Sequence, residues 1–490
     1  MEHVLIGLKT FLTVQNILAL TFGQAIGVVI GAIPGLTVTM AIALLLPFTF
    51  GMPALPAVLL LVGVYKAGIY AGSISAILIK APGTPASACT VLDGWPMAQQ
   101  GQARRAMDMA LYASCVADFV SNLSLLLLAG LIASFALRFG PPEFFWLIAF
   151  ALTVVTAVSG ASLLKGLVSA SLGVLLSTVG MDLVYGTPRL TFGVLELTGG
   201  LSFVPLLIGL FAVAEIFEFY GREPGKVERS RSAGARLKWE EFRNYLPTIL
   251  RGSVIGVIIG AIPGTGPAIA SFLSYAEAKR TSKRAANFGH GEIEGVAASE
   301  SGNNGVAGAT LIPLLALGIP GDVITAVMFG AFLIHGIDPG PTLFTRQADF
   351  VYALIWGIML SSIGLLVLGR IAVSAFARTT TVPSHILMPI VLIFCVFGTY
   401  SINNSTFDVL IMLGAGVLGY VMSKVDMAAA PLLIGFVLGP IFEDNFRRSV
   451  LVARGDYTTF FQGPIVWVFI VLTALSLIFG LRKKNVPVEK

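Results

Sequence analysis

Val28-Val29-Ile30-Gly31-Ala32-Ile33-Pro34-Gly35 and Val257-Ile258-Ile259-Gly260-Ala261-Ile262-Pro263-Gly264 are the same octapeptide but for one residue, 229 positions apart. Each lies in an apolar stretch and ends on Pro-Gly. Proline removes a backbone donor and clashes with the preceding turn, so a helix entering the motif does not leave it unbroken. The duplication continues in order. Pro82-Gly83 matches Pro320-Gly321, Tyr112 and Ser121 match Tyr352 and Ser361, Pro142 matches Pro383, and PLLIG at Pro205–Gly209 recurs at Pro431–Gly435. Collinear matches at break points argue for an internal repeat rather than a chance likeness of apolar residues.

Working outward, the chain has 490 residues of which 12% are charged and 56% hydrophobic, where soluble domains carry about 25% charge. Thr10 to Tyr65 runs 56 residues without a charge, and one crossing of the hydrocarbon core takes about 20 apolar residues. An ordinary soluble enzyme is excluded. The expected fold is an all-α polytopic membrane protein with about 11–13 membrane helices and re-entrant or broken helices. Many of the 54 Gly and 25 Pro fall inside apolar segments. Broken backbone at membrane depth is tolerated only where it is buried in protein or lines a cavity, which favours a transporter or channel over an anchor.

The charges set the expected topology. Gly221 to Asn244 holds seven basic residues against four acidic and reads as a cytoplasmic linker. The net charge of +5 is then a matter of topology, not of nucleic-acid binding. Arg482-Lys483-Lys484 places the C-terminus inside as well. If the last span arrives inside, the second half crosses an odd number of times, and the two repeats are inverted. Arg447, Arg448 and Arg454 run against that assignment. The expected domains are residues 1–220 (first repeat), 221–245 (linker), 246–450 (second repeat) and 451–490 (final helix and tail). Met1-Glu2-His3-Val4-Leu5 lacks the features of a cleaved signal, so the first apolar segment is expected to stay.

Four breaks stand out: Gly31 to Thr37, Ala81 to Ser87, Gly260 to Gly266 and Gly318 to Asp322. Each leaves free carbonyls on one half-helix, which suit a cation, and free N–H groups on the next, which suit an anion. A packing kink is the plainer reading of any one break; four in related positions favour a site. Lys66 and Lys80 stand in otherwise uncharged segments, and a lysine at membrane depth marks a functional site unless it snorkels to the interface. Asp322 neutralises a lysine or binds the coupling cation, or else caps the following half-helix. Asn303 and Asn304, in Glu300-Ser301-Gly302-Asn303-Asn304, can donate to a carboxylate or coordinate a cation. His3, His290, His335 and His385 show no ligand spacing and Cys89, Cys115 and Cys395 no pairing, so no metal site is expected. With no GxSxG, HExxH or GxxxxGK[ST] motif, neither an enzyme nor an ATPase is expected.

Gly31 to Phe50 (GAIPGLTVTMAIALLLPFTF), Tyr70 to Ala98 (YAGSISAILIKAPGTPASACTVLDGWPMA), Glu300 to Gly321 (ESGNNGVAGATLIPLLALGIPG) and Phe329 to Pro341 (FGAFLIHGIDPGP) resemble the large, TctA-type membrane subunit of the tripartite tricarboxylate transporter family. The resemblance implies a multi-pass permease of the bacterial inner membrane, working with a small membrane subunit and a periplasmic substrate-binding protein. It implies uptake of a small carboxylate such as citrate, driven by a cation gradient of sodium or protons, with no cofactor. Lys80 and Asp322 depart from the family's usual Asn and Ser, which leaves the particular carboxylate open. On this reading Pro34, Gly35, Thr37, Lys66, Lys80, Pro82, Gly83, Thr84, Ser87, Asn303 and Asn304 bind substrate, and Gly264, Thr265, Gly321 and Asp322 bind the coupling cation. An ion channel, or an ion-coupled transporter of a non-carboxylate, is the alternative.

Overall fold

The computed structural model describes residues 2–33, 35–158, 162–182, 185–221, 234–376, 384–454 and 456–482. Pro34, Pro383, the linker segment 222–233 and Lys483-Lys484 therefore lie outside the described residues. The expected all-α polytopic class holds: helices follow one another along the chain, and the strands found are the short antiparallel pair Gly180–Met181 and Pro188–Arg189.

Among the described residues eight helices are long and apolar enough to cross a membrane: Val14–Gly31, Ala54–Ile79, Ala103–Ala136, Phe203–Tyr220, Ala348–Ala375, Thr406–Lys424, Ala429–Ala453 and Pro464–Leu481. Several shorter apolar helices border the breaks, among them Val38–Thr49, Leu246–Gly260 and Val323–Ile334. The Pro-Gly motifs have divided these segments, as the loss of a backbone donor requires.

Contacts gather the chain into two units, each drawing on both halves of the sequence. The first is Met1–Ala133, Phe219–Ile262 and Gly266–Val391; the second is Ser134–Glu218, Pro263–Thr265 and Leu392–Lys490.

In the first unit, helix Val14–Gly31 lies against helix Ala54–Ile79 with almost no side chain between them. A Cβ added at Gly23 would stand 2.0 Å from the Leu60 carbonyl oxygen, one at Gly27 2.5 Å from that of Val64, and one at Gly31 2.4 Å from that of Gly68. Residues spaced by four share one helix face, so the three glycines form a continuous groove for the neighbouring backbone. The second half repeats the device. A Cβ at Gly256 would meet the Gly302 carbonyl oxygen at 2.7 Å, and one at Gly260 that of Val306 at 3.0 Å, on helix Ile293–Ala309. Ala54–Ile79 is buried without interruption from Pro56 to Ile77, which is why it is apolar all round rather than amphipathic. Side chains then tie the halves together: the Gln24 amide donates to the Ser361 carbonyl at 2.6 Å, and the Asn122 amide to that of Ile358 at 2.9 Å.

The second unit uses the same close approach at the PLLIG motifs, with Gly209 against the Met412 carbonyl and Gly435 against that of Ala170. A cavity of about 320 Å³ has Arg189, Glu443 and Arg447 in its wall. Arg447 pairs with Asp182 and Glu443, each at 2.6 Å, and Arg448 with Asp444 at 2.9 Å. Two of the three arginines at odds with the charge pattern are thus neutralised locally.

These close approaches predict which glycines tolerate a methyl group. Gly27→Ala and Gly256→Ala are each expected to lower stability by about 1–3 kcal/mol through overpacking. Gly51→Ala, where nothing lies within 4 Å of the added Cβ, is expected to leave it unchanged. Thermal unfolding of the detergent-solubilised variants checks this, and equal midpoints for all three would refute it.

Candidate functional site

The two breaks of the first half meet on the buried helix Ala54–Ile79. Helix Val14–Gly31 ends on Ala32, and Gly35, exposed, takes φ +84°. Thr37 opens the next helix by accepting from the Met40 N–H at 3.1 Å. Ala54–Ile79 ends on Lys80, which holds the left-handed φ of +57°, a conformation costing a non-glycine residue about 1–2 kcal/mol. Lys80 is exposed and has no ion pair among the described residues. Pro82 is exposed, whereas Gly83 is buried, and a Cβ there would fall 2.2 Å from the Gly31 carbonyl oxygen and 2.9 Å from the Gly72 Cα. Only glycine lets the second break seat on the first. Thr84 and Ser87 then bond reciprocally: the Thr84 N–H donates to the Ser87 hydroxyl at 3.0 Å, and the Ser87 N–H to the Thr84 hydroxyl at 3.3 Å.

The breaks of the second half use the same backbone. Helix Leu246–Gly260 ends on Ala261, and Gly264 takes φ +83°. Gly264 and Thr265 belong to the second unit, Gly321 and Asp322 to the first. Gly321 packs so closely on Thr310 that an added Cβ would stand 2.8 Å from the Thr310 carbonyl oxygen. Asp322 caps helix Val323–Ile334, accepting from the Thr325 N–H at 2.7 Å, and its other oxygen accepts from the Tyr65 hydroxyl at 3.2 Å. Of its expected roles, capping is the one the geometry displays.

Lys66 is buried, and its ammonium donates to Asp118 and Asn122, each at 2.5 Å. Asp118 also accepts from Ser362 at 2.6 Å and from the Asn122 amide at 3.0 Å. This interior ion pair is embedded in further hydrogen bonds, which help a buried pair to offset its desolvation.

Asn303 and Asn304 lie on helix Ile293–Ala309, buried throughout except at Glu294. Glu300 precedes them by one turn and accepts from the Thr90 hydroxyl, from Ser114 at 3.1 Å and from the Asn304 amide at 3.4 Å. Nearby, Asp93 gathers the N–H groups of Gly289, Gly291 and Glu292 at 2.9, 2.9 and 2.8 Å and the Tyr275 hydroxyl at 2.8 Å.

Asp118, Asp93, Tyr65 and Glu300 were not among the expected site residues. A signal existed for Asp118: Ser114, Asp118 and Asn122 recur every fourth residue in an apolar helix, one polar stripe. Glu300 stood in the quoted motif itself. For Asp93 there was none, since its partners, three backbone N–H groups and the Tyr275 hydroxyl, lie nearly two hundred residues away.

The whole chain is similar to proteins of one family. The tripartite tricarboxylate transporter TctA family matches residues 17–434. A 52.8 kDa protein in the TAR-I ttuC' 3' region of Agrobacterium vitis is 38% identical over 489 residues, 99% of this chain and 97% of that protein. A protein in the TAR-II ttuC' 3' region of the same organism is 41% identical over 234 residues, 47% of this chain and 97% of that protein. No solved structure matches. The glycine-seated breaks and polar interior thus belong to a transport protein, and the chain belongs to the tripartite tricarboxylate transporter TctA family, the large subunit of tripartite tricarboxylate transporters.

Proposed function

We propose that this chain is the permease of a secondary-active, cation-coupled system that takes up small tricarboxylates or dicarboxylates across a bacterial inner membrane. It receives substrate from a periplasmic binding protein and works beside a small membrane subunit. The observation that carries the reading is the seating of the two first-half breaks on one another at Gly31 and Gly83, with Lys80 exposed beside them. Half-helix N-termini there present a positive dipole end to a carboxylate, and Lys80 adds a full charge. The left-handed backbone at Lys80 supports this, since such strain gathers at functional sites.

On this reading Gly35, Thr37, Lys80, Pro82, Gly83, Thr84 and Ser87 hold carboxylates, together with Pro34. Asn303 and Asn304 complete the interior from the second half. The coupling cation is sodium or a proton. Lys66 serves by holding helices Ala54–Ile79 and Ala103–Ala136 together through Asp118. The halves are two inverted repeats, and one bundle moving against the rest gives alternating access. The matching backbone at Gly35 and Gly264, φ +84° and +83°, supports the repeat.

Membrane vesicles from cells producing the chain with its partner subunits are expected to accumulate radiolabelled carboxylate saturably, and only under a cation gradient. A current that grows linearly with concentration would instead indicate a channel. Lys80→Ala is expected to cut uptake at least about tenfold, as loss of a charged hydrogen bond does, with normal membrane insertion, while Lys80→Arg keeps most of it; unchanged uptake in Lys80→Ala removes that residue from the site.

Lys66→Ala is expected to destabilise the protein by about 3–5 kcal/mol, because Asp118 is left as an unpaired buried charge. Replacing both partners together, Lys66→Met with Asp118→Leu, is expected to restore folding and uptake. Restored folding without uptake would give Lys66 a part in binding substrate.

A further inference from the structure

The buried acids of the first unit differ in how their charge is met. Asp118 has the Lys66 ammonium at 2.5 Å, and Asp108 has Arg104 at 3.3 Å. Asp93 has three backbone N–H groups and a tyrosine hydroxyl, and Asp322 has the Thr325 N–H and hydroxyl besides Tyr65. Glu300 is 0% exposed; like Asp93 and Asp322 it has no Lys, Arg or His partner among the described residues, and unlike them it draws its hydrogen bonds from side chains alone. Its partners are the hydroxyls of Thr90 and Ser114 and the amide of Asn304. A carboxylate held in the interior by neutral donors alone keeps a desolvation cost that one positive charge would remove.

A second observation points the same way. Asn303 is also 0% exposed; its amide nitrogen stands within donating range of the Glu300 carboxylate, but neither amide atom makes a well-formed hydrogen bond and the oxygen has no donor at all. Buried amides are almost always bonded. The side chain lies beside the Glu300 carboxylate, one turn along the same face. An amide oxygen without a donor and a carboxylate without a cation therefore share one place, with two hydroxyl oxygens from neighbouring helices.

We propose that Glu300, Asn303, Thr90 and Ser114 form a binding site for a desolvated sodium ion, with Glu300 and the Asn303 amide oxygen as its principal ligands. Carboxylate, amide and hydroxyl oxygens are hard donors that suit hard cations. A single carboxylate matches a single charge, and divalent ions with all-oxygen cages draw on several. The proposal deepens the cation-coupled reading and rests on it: binding sodium would complete the charge balance of helix Ile293–Ala309, next to the Ser87–Gln99 helix that carries Thr90 and begins at the second break. Substrate contact and ion binding would thus share one short helix.

The test is sodium binding by the purified full-length protein at constant ionic strength, with choline as replacement, read by thermal unfolding and by equilibrium uptake of radioactive sodium. Wild type is expected to show saturable stabilisation by sodium and not by choline. Glu300→Gln, which keeps the size and hydrogen bonds of the side chain, is expected to abolish it. Asn303→Ala is expected to weaken sodium affinity at least about tenfold, and Glu277→Gln, on the surface, to leave it unaltered. A sodium response that persists in both Glu300→Gln and Asn303→Ala overturns the site while leaving cation coupling in place. Stabilisation of wild type by acid with none by sodium also overturns it, making Glu300 a proton carrier. The coupling reading itself fails separately, when vesicle uptake is indifferent to both gradients.

Discussion

Lipid offers no hydrogen bonds to an opened backbone, so a break at membrane depth has to be buried in protein or line a cavity. Glycine is what makes that burial attainable. The carbonyls of Leu60, Val64 and Gly68 occupy the space where side chains of positions 23, 27 and 31 would stand, and Gly83 leans on Gly31 in the same way. Without these contacts the Gly31 to Thr37 and Ala81 to Ser87 breaks would be exposed polar backbone in an apolar medium. Hydrophobic attraction between helices is absent in hydrocarbon, so close packing and polar contacts must supply the cohesion. The breaks and the glycine seams are one construction.

Within that construction, charge is rationed and nearly every charge is answered. Lys66 meets Asp118, and Tyr65, its neighbour in sequence, points to Thr310 and Asp322. One buried helix thereby holds both a first-half network and a second-half cap. In the second unit Asp182, Arg189, Glu443 and Arg447 form a paired group. Against this background Glu300, whose carboxylate has hydroxyl and amide donors but neither a cation nor a backbone N–H, and the Asn303 amide oxygen, which has no donor, stand out on one turn, and a gap in charge balance is where an ion would do its work.

Much of this was legible. Charge scarcity and apolar length required membrane helices, because hydrocarbon excludes charges in any arrangement. The VVIGAIPG and VIIGAIPG pair marked where helices stop, since proline acts on its own preceding turn and needs no tertiary partner. Both motifs end helices and turn on glycines of nearly equal φ. Lys66 was marked as unusual but its partner was not named, because pairing with Asp118 depends on which helix face meets which. Asp322 stood between roles for the same reason: a cap is local, whereas a lysine partner or a cation site depends on what lies opposite.

Sequence by itself therefore determined class, membrane location, break positions and family, all properties of local chemistry and of composition. Only tertiary structure decided which charges neutralise one another, that Asp93 is held by a distant loop, and that the compact units cut across the halves of the chain. Those outcomes depend on contacts between residues far apart in sequence. A single chain read in one dimension carries the residue types for such contacts but not the distances, and at buried charges a few ångströms separate a salt bridge from an ion site.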